Sequence, residues 1–73
     1  MPRPDSRFNV PAFGPALRRE REAAGLTQQA LAEKLGLTTG AVSKLENGGT
    51  DPRLGVAAAI ADALRVPIKR LLS

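Results

Sequence analysis

From Phe13 onward, apolar residues recur at three- and four-residue spacing, and no Val/Ile/Thr alternation marks a strand anywhere. The pattern predicts an all-α chain. A first helix over about Phe13–Ala24 carries Pro15 in its first turn, where a missing N–H costs little, and Gly25 stops it. Thr27 is a good N-cap for a second helix, Gln28–Leu35, which ends at Gly36. Thr38 caps a third, from Thr39 to about Glu46. The run Asn47-Gly48-Gly49-Thr50-Asp51-Pro52 has the composition of a loop. A fourth helix over about Arg53–Leu64 is rich in alanine, and a fifth, short one runs from near Pro67 to Leu72. Residues 1–11 hold three of the six prolines and no periodicity, so they read as a flexible arm ahead of a domain spanning 12–73.

Helices this short are unstable alone and must share one core. The inward stripes predict that core as Phe13, Leu17, Leu26, Leu31, Ala32, Leu35, Val42, Leu45, Leu54, Ala57, Ile60, Ala61, Leu64, Ile68 and Leu71. Two charged residues fall on the same stripes. Arg21 follows Leu17 by four residues, and Glu46 follows Val42 by four, so both point inward or to the core's edge. Arg18 and Arg19, beside Glu20 and Glu22, read as local ion pairs on the first helix.

Composition narrows the function. The 73 residues contain neither Cys nor His, which removes disulfides, zinc fingers, thiol nucleophiles and a Ser-His-Asp triad. No metal or other cofactor is expected, and the chain does not read as an enzyme. Aromatic residues make up 3%, too few for the base-stacking sheets of single-strand binders. Eleven basic against seven acidic residues give a net charge of +4, which makes nucleic acid the leading partner and an acidic membrane surface the second. No apolar run approaches the roughly 20 residues of a membrane span and no signal-peptide pattern opens the chain, so a soluble cytoplasmic protein is expected. The charge is split: +2 over residues 1–25, zero over 26–50 and +2 over 51–73.

The informative segment is QQALAEKLGLTTGAVSKL, residues 28–45. Two short helices joined by a Gly-containing turn are the sequence form of a helix-turn-helix. Ala32, four residues before Gly36, leaves room for the second helix to cross close by. Val42 and Leu45 direct that helix's apolar face inward, leaving Thr39, Gly40, Ser43, Lys44 and Asn47 outward. A face of small and polar residues with one cation suits docking into a major groove, which is wide enough to admit a helix.

Over residues 13–72 the chain resembles the helix-turn-helix domain shared by the phage lambda and 434 repressors and Cro, often called XRE-type. The resemblance rests on LTQQALAEKLGL, then VSKLENG, then DP before a helix, then IADALRVP leading to LL. It implies a compact five-helix lambda-repressor-like domain, with helices 2 and 3 forming the motif, that binds a palindromic operator as a homodimer and usually represses transcription. Position by position, it implies that Thr39, Gly40 and Lys44 read bases, with Ser43 beside them. Thr27 and Gln28 at the start of helix 2 would hold phosphate, as would Asn47 and Arg53 flanking the recognition helix. It further implies an Arg21–Glu46 ion pair joining helix 1 to the end of helix 3. Dimer contacts would fall on Arg65, Val66, Pro67, Ile68, Leu71 and Leu72. Gly40 departs from the family pattern, which usually has a longer polar reader there, so specificity would rest on Thr39, Lys44 and DNA shape. Gly55 is a second departure and should loosen the first turn of helix 4.

Simpler roles stand beside these. Lys44 could be a solvated charge, Thr39 a helix-start residue, Ser43 a bystander and Asn47 a C-cap before Gly48. The expected function is a sequence-specific double-stranded-DNA-binding transcriptional regulator, a homodimeric repressor. The alternative is an antitoxin-type interaction module that binds a toxin partner and autoregulates its operon.

Overall fold

The computed structural model describes residues 12–49 and 52–72; the arm assigned to residues 1–11 lies outside the described residues. Among the described residues there are four α-helices: α1 (Phe13–Ala23), α2 (Gln28–Leu35), α3 (Thr39–Glu46) and α4 (Leu54–Leu64). The expected fifth helix is instead a single 3₁₀ turn, Ile68–Leu71. Pro67 stands in extended backbone before it and Leu72 closes it after four residues, too short a stretch to settle into an α-helix.

Local chemistry sets the helix ends. The Thr27 hydroxyl accepts from the Ala30 N–H at 3.0 Å, and Thr38 does the same for Ala41 at 3.1 Å. Each satisfies an N–H that the first helical turn leaves without a partner. Gly36 ends α2 in the left-handed region at φ 69°, and this sets the turn of the motif. Arg65 ends α4 in the same region at φ 58°, a conformation a side chain enters at a cost. The sequence carries no glycine there to announce it.

The helices pack in a ring around one core: α1 on α3 and on the 3₁₀ turn, α2 on α3 and α4, and α4 on the 3₁₀ turn. Phe13, Leu17, Leu31, Val42, Ile60 and Leu71 are its largest fully buried side chains. Leu54, expected in the core, is 50% exposed: it is the first residue of α4 and its side chain lies beyond the packed stripe. Leu26, Leu35 and Ile68 are half-buried at the margin. Ala16 and Glu20, not expected inside, are buried. Glu20 is held by Arg19 Nε at 3.0 Å and Arg70 Nη1 at 3.8 Å, while Arg19 Nη2 donates to the Arg70 carbonyl at 2.9 Å. This cluster fastens the 3₁₀ turn to α1. Arg18 makes the expected local pair with Glu22, at 3.7 Å.

Two helical glycines differ sharply in their surroundings. A Cβ on Gly14 would stand 2.4 Å from the Glu46 carbonyl oxygen and 3.0 Å from that of Leu45, so α1 meets the end of α3 backbone to backbone. A Cβ on Gly55 would meet nothing within 4 Å. Gly14→Ala is therefore expected to destabilise the fold by about 1–3 kcal/mol, the cost of overpacking. Gly55→Ala should stabilise it by about 0.5–1 kcal/mol through a stiffer unfolded chain and better helix propensity. Urea unfolding of both variants checks this; equal effects of one sign would contradict the packing described.

Candidate nucleic-acid interface

α2, the Gly36-Leu37-Thr38 turn and α3 form the helix-turn-helix. Leu31 and Ala32 anchor α2, and Val42, Leu45 and Glu46 anchor α3. The opposite side of α3 is left outward: Thr39, Gly40, Lys44 and Asn47 are exposed and Ser43 is half-buried. Asn47 is the C-cap residue of α3, and its Nδ2 donates to Ser43 Oγ at 3.3 Å, so these two occupy each other in the free protein. Gly40 stands in open space, with only Thr38 Oγ1 within 4 Å of a Cβ built there. Packing therefore does not demand a glycine at this position.

Thr27 is exposed and Gln28 half-buried at the start of α2, where the helix dipole and unpaired N–H groups favour an anion. The Gln28 side chain does not hang free. Its Nε2 donates to Glu46 Oε1 at 3.0 Å. Arg53 is exposed just before α4, across a loop whose residues Thr50 and Asp51 lie outside the described set.

Behind the interface lies a charged knot. Arg21 Nε donates to Glu46 Oε2 at 2.5 Å and its Nη2 to Glu46 Oε1 at 3.3 Å, while Nη1 donates to the Leu26 carbonyl at 2.7 Å. The geometry is bidentate, and both residues are buried. Burial pushes the Glu46 carboxyl up, but hydrogen bonds from Arg21 and Gln28 and the charges of Arg21 and Arg18 outweigh it. The pKa settles below the usual carboxylate value. The hydrogen bond to Glu46 acts on Arg21 more strongly than burial does, raising its pKa. Sequence periodicity placed both residues inward; the link from Glu46 to Gln28, eighteen residues apart, left no signal in the sequence.

Of the residues assigned to a dimer contact, Arg65, Pro67 and Leu72 are exposed and Val66 and Ile68 half-buried. Leu71 has no exposed surface. It belongs to the core, where the 3₁₀ turn folds it back under α1 and α4.

The helix-turn-helix family model matches residues 17–71, three-quarters of the sequence. Among solved structures, the restriction-modification controller protein C.AhdI from Aeromonas hydrophila is 35% identical, with a TM-score of 0.78 over 82% of this chain and 91% of that one. The P22 c2 repressor in complex with a synthetic operator is 26% identical, with a TM-score of 0.76 over 90% of this chain and 97% of that one. A likeness also exists to HppE in complex with substrate, at 31% identity and TM-score 0.79 over 89% of this chain but 37% of that one. There, the helical unit is a minor part of a larger chain. No curated protein matches in sequence. The chain belongs to the XRE-type helix-turn-helix family, a class of DNA-binding transcriptional regulators, and its fold is lambda-repressor-like.

Removing one partner of a buried ion pair leaves the other charge uncompensated. Glu46→Ala should thus cost about 3–5 kcal/mol. Because Glu46 has a lowered pKa in the folded state, its contribution is complete at neutral pH. It is lost as pH falls through the ordinary carboxylate range and on through the lowered native value. Thermal melts from pH 7 to pH 3 should show parent stability falling more steeply than that of Glu46→Gln. Parallel curves would mean that Glu46 is exposed and unpaired.

Proposed function

We propose that this protein is a sequence-specific repressor that binds a palindromic double-stranded DNA operator as a homodimer in the cytoplasm. The observation that carries the reading is the two-sidedness of α3. One face is locked into the core by Val42, Leu45 and the buried Glu46, and the other offers Thr39, Gly40, Ser43 and Lys44 to solvent. A helix held this way can enter a major groove with its polar face on the base edges. The likeness to an operator-bound repressor supports this.

The division of labour follows from chemistry. Lys44, long and cationic, reaches for the O6 and N7 acceptors of guanine, and Thr39 makes shorter contacts near the helix start. Thr27, Gln28, Asn47 and Arg53 hold phosphates, which fixes register without carrying sequence. Gly40 brings no side chain, so the α3 backbone can approach the groove closely there, and discrimination at that base step falls to DNA shape. The dimer forms through Arg65, Val66, Pro67, Ile68 and Leu72, where the exposed Leu72 adds apolar area beside half-buried neighbours. A two-fold arrangement would set the recognition helices roughly 34 Å apart, one turn of DNA.

Selection of bound sequences from random duplex DNA at physiological salt tests the reading. A palindrome with half-sites about one turn apart is the expected product; no enrichment, or a single unpaired half-site, would overturn it. On the enriched site, Lys44→Ala should cost about 1–3 kcal/mol and relax preference at one base pair per half-site. Equal losses on enriched and scrambled duplexes, read by fluorescence anisotropy, would instead make Lys44 a phosphate contact.

A further inference from the structure

The sequence offers a simple reason for Glu46, a counter-ion for Arg21, but its position in the structure asks for more. An acid in the last turn of a helix faces the negative end of the helix dipole, where cations are favoured. Its carboxylate also takes three donors, Arg21 Nε, Arg21 Nη2 and Gln28 Nε2, and only two of them belong to the ion pair.

We propose that Glu46 is a positioning residue for the phosphate grip: its Oε1 takes one N–H of the Gln28 side-chain amide and thereby aims the other at a DNA phosphate. This rests on the reading that Gln28 holds phosphate. The argument turns on what each group can do. A glutamine amide has a donor end and an acceptor end, and on a free surface it presents either. A phosphate oxygen only accepts, so the acceptor end is useless to it. An ionised carboxylate also only accepts, so Glu46 admits only the Nε2 end of Gln28. One Nε2–H is used at 3.0 Å, and the second, fixed at the amide's own angle to the first, is left for a further acceptor; Gln28 is the first residue of α2, whose first turn also carries free backbone N–H groups. The rotamer freedom of Gln28 is thus spent on folding rather than on binding, which is how preorganisation raises affinity. Arg21 completes the device by neutralising Glu46, so the carboxylate can stand behind the grip without repelling the phosphate.

The test is a double-mutant cycle on a random-sequence 20-base-pair duplex, which reads phosphate contacts apart from base recognition. Glu46→Asp keeps a negative charge beside Arg21 but draws the oxygen that Gln28 Nε2 and Arg21 Nη2 share back by about one methylene. Anisotropy titrations compare the parent, Gln28→Ala, Glu46→Asp and the double variant, with circular dichroism confirming that each is folded. Gln28→Ala should bind about tenfold more weakly, the worth of one hydrogen bond to a charged group; Glu46→Asp, which keeps that hydrogen bond but frees the Gln28 rotamer, should lose part of that factor. The double variant should bind no more weakly than Gln28→Ala alone. Losses that multiply, or a Glu46→Asp variant that binds as the parent does, would overturn the proposal. A Gln28→Ala variant that binds as the parent does would overturn the phosphate-grip reading itself, and this proposal with it.

A second measurement needs no variant. In the free parent, one Gln28 Nε2 proton should exchange with water far more slowly than those of the exposed Gln29, and the other should shift when the same duplex is added. Both Gln28 protons exchanging as Gln29 does would overturn the proposal.

Discussion

The bidentate contact between Arg21 and Glu46 is the joint on which this small domain turns. It ties the last turn of α1 to the last residue of α3, and through the Leu26 carbonyl it also fixes the loop that delivers the Thr27 cap and Gln28. Gly14 lies on the same seam, where α1 approaches the Glu46 and Leu45 carbonyls so closely that no Cβ fits. Side-chain charge and backbone proximity thus fix one crossing. A buried ion pair returns little net stability against an apolar substitute. Its value here is geometric: an apolar pair could slide, whereas a forked guanidinium on a carboxylate allows one register.

That register decides what the surface can do. With α3 pinned at its C-terminal end by Glu46 and along its length by Val42 and Leu45, its outward face is fixed relative to the start of α2. On the reading proposed above, gripping and reading groups then approach a duplex as one rigid body. A second cluster, Glu20 between Arg19 and Arg70, keeps the 3₁₀ turn and its buried Leu71 against α1. Two charge clusters and one apolar core account for how a 73-residue chain with four short helices among its described residues holds its shape.

Much of this was legible in the sequence because it is local. Thr27, Thr38 and Gly36 act on backbone within a few residues of themselves, so the α2–turn–α3 unit could be read with its boundaries intact. Periodicity likewise turned Arg21 and Glu46 inward. What escaped was set by partners distant in sequence. Glu20 reads as a local ion-pair partner on α1 until Arg70 comes back beside it, and nothing near Gly14 in the sequence announces that α3 crosses there. The spacing from Ile68 places Leu71 in the core, and the 3₁₀ turn does bury it while leaving Leu72 39% exposed. The left-handed Arg65 carries no glycine to mark it, and Leu54, three residues before the buried Ala57, lies at the exposed first position of α4.

The central claim is that α3 presents a reading face while the start of α2 grips the backbone beside it. Backbone amide NMR of the protein titrated with its selected duplex tests this most directly. The account predicts the largest shifts in two separated stretches, Thr27–Gln29 and Thr39–Asn47, with the buried α4 residues Ala57, Ile60 and Ala61 unmoved. Shifts concentrated on α4 and the 3₁₀ turn, with α3 silent, would contradict it.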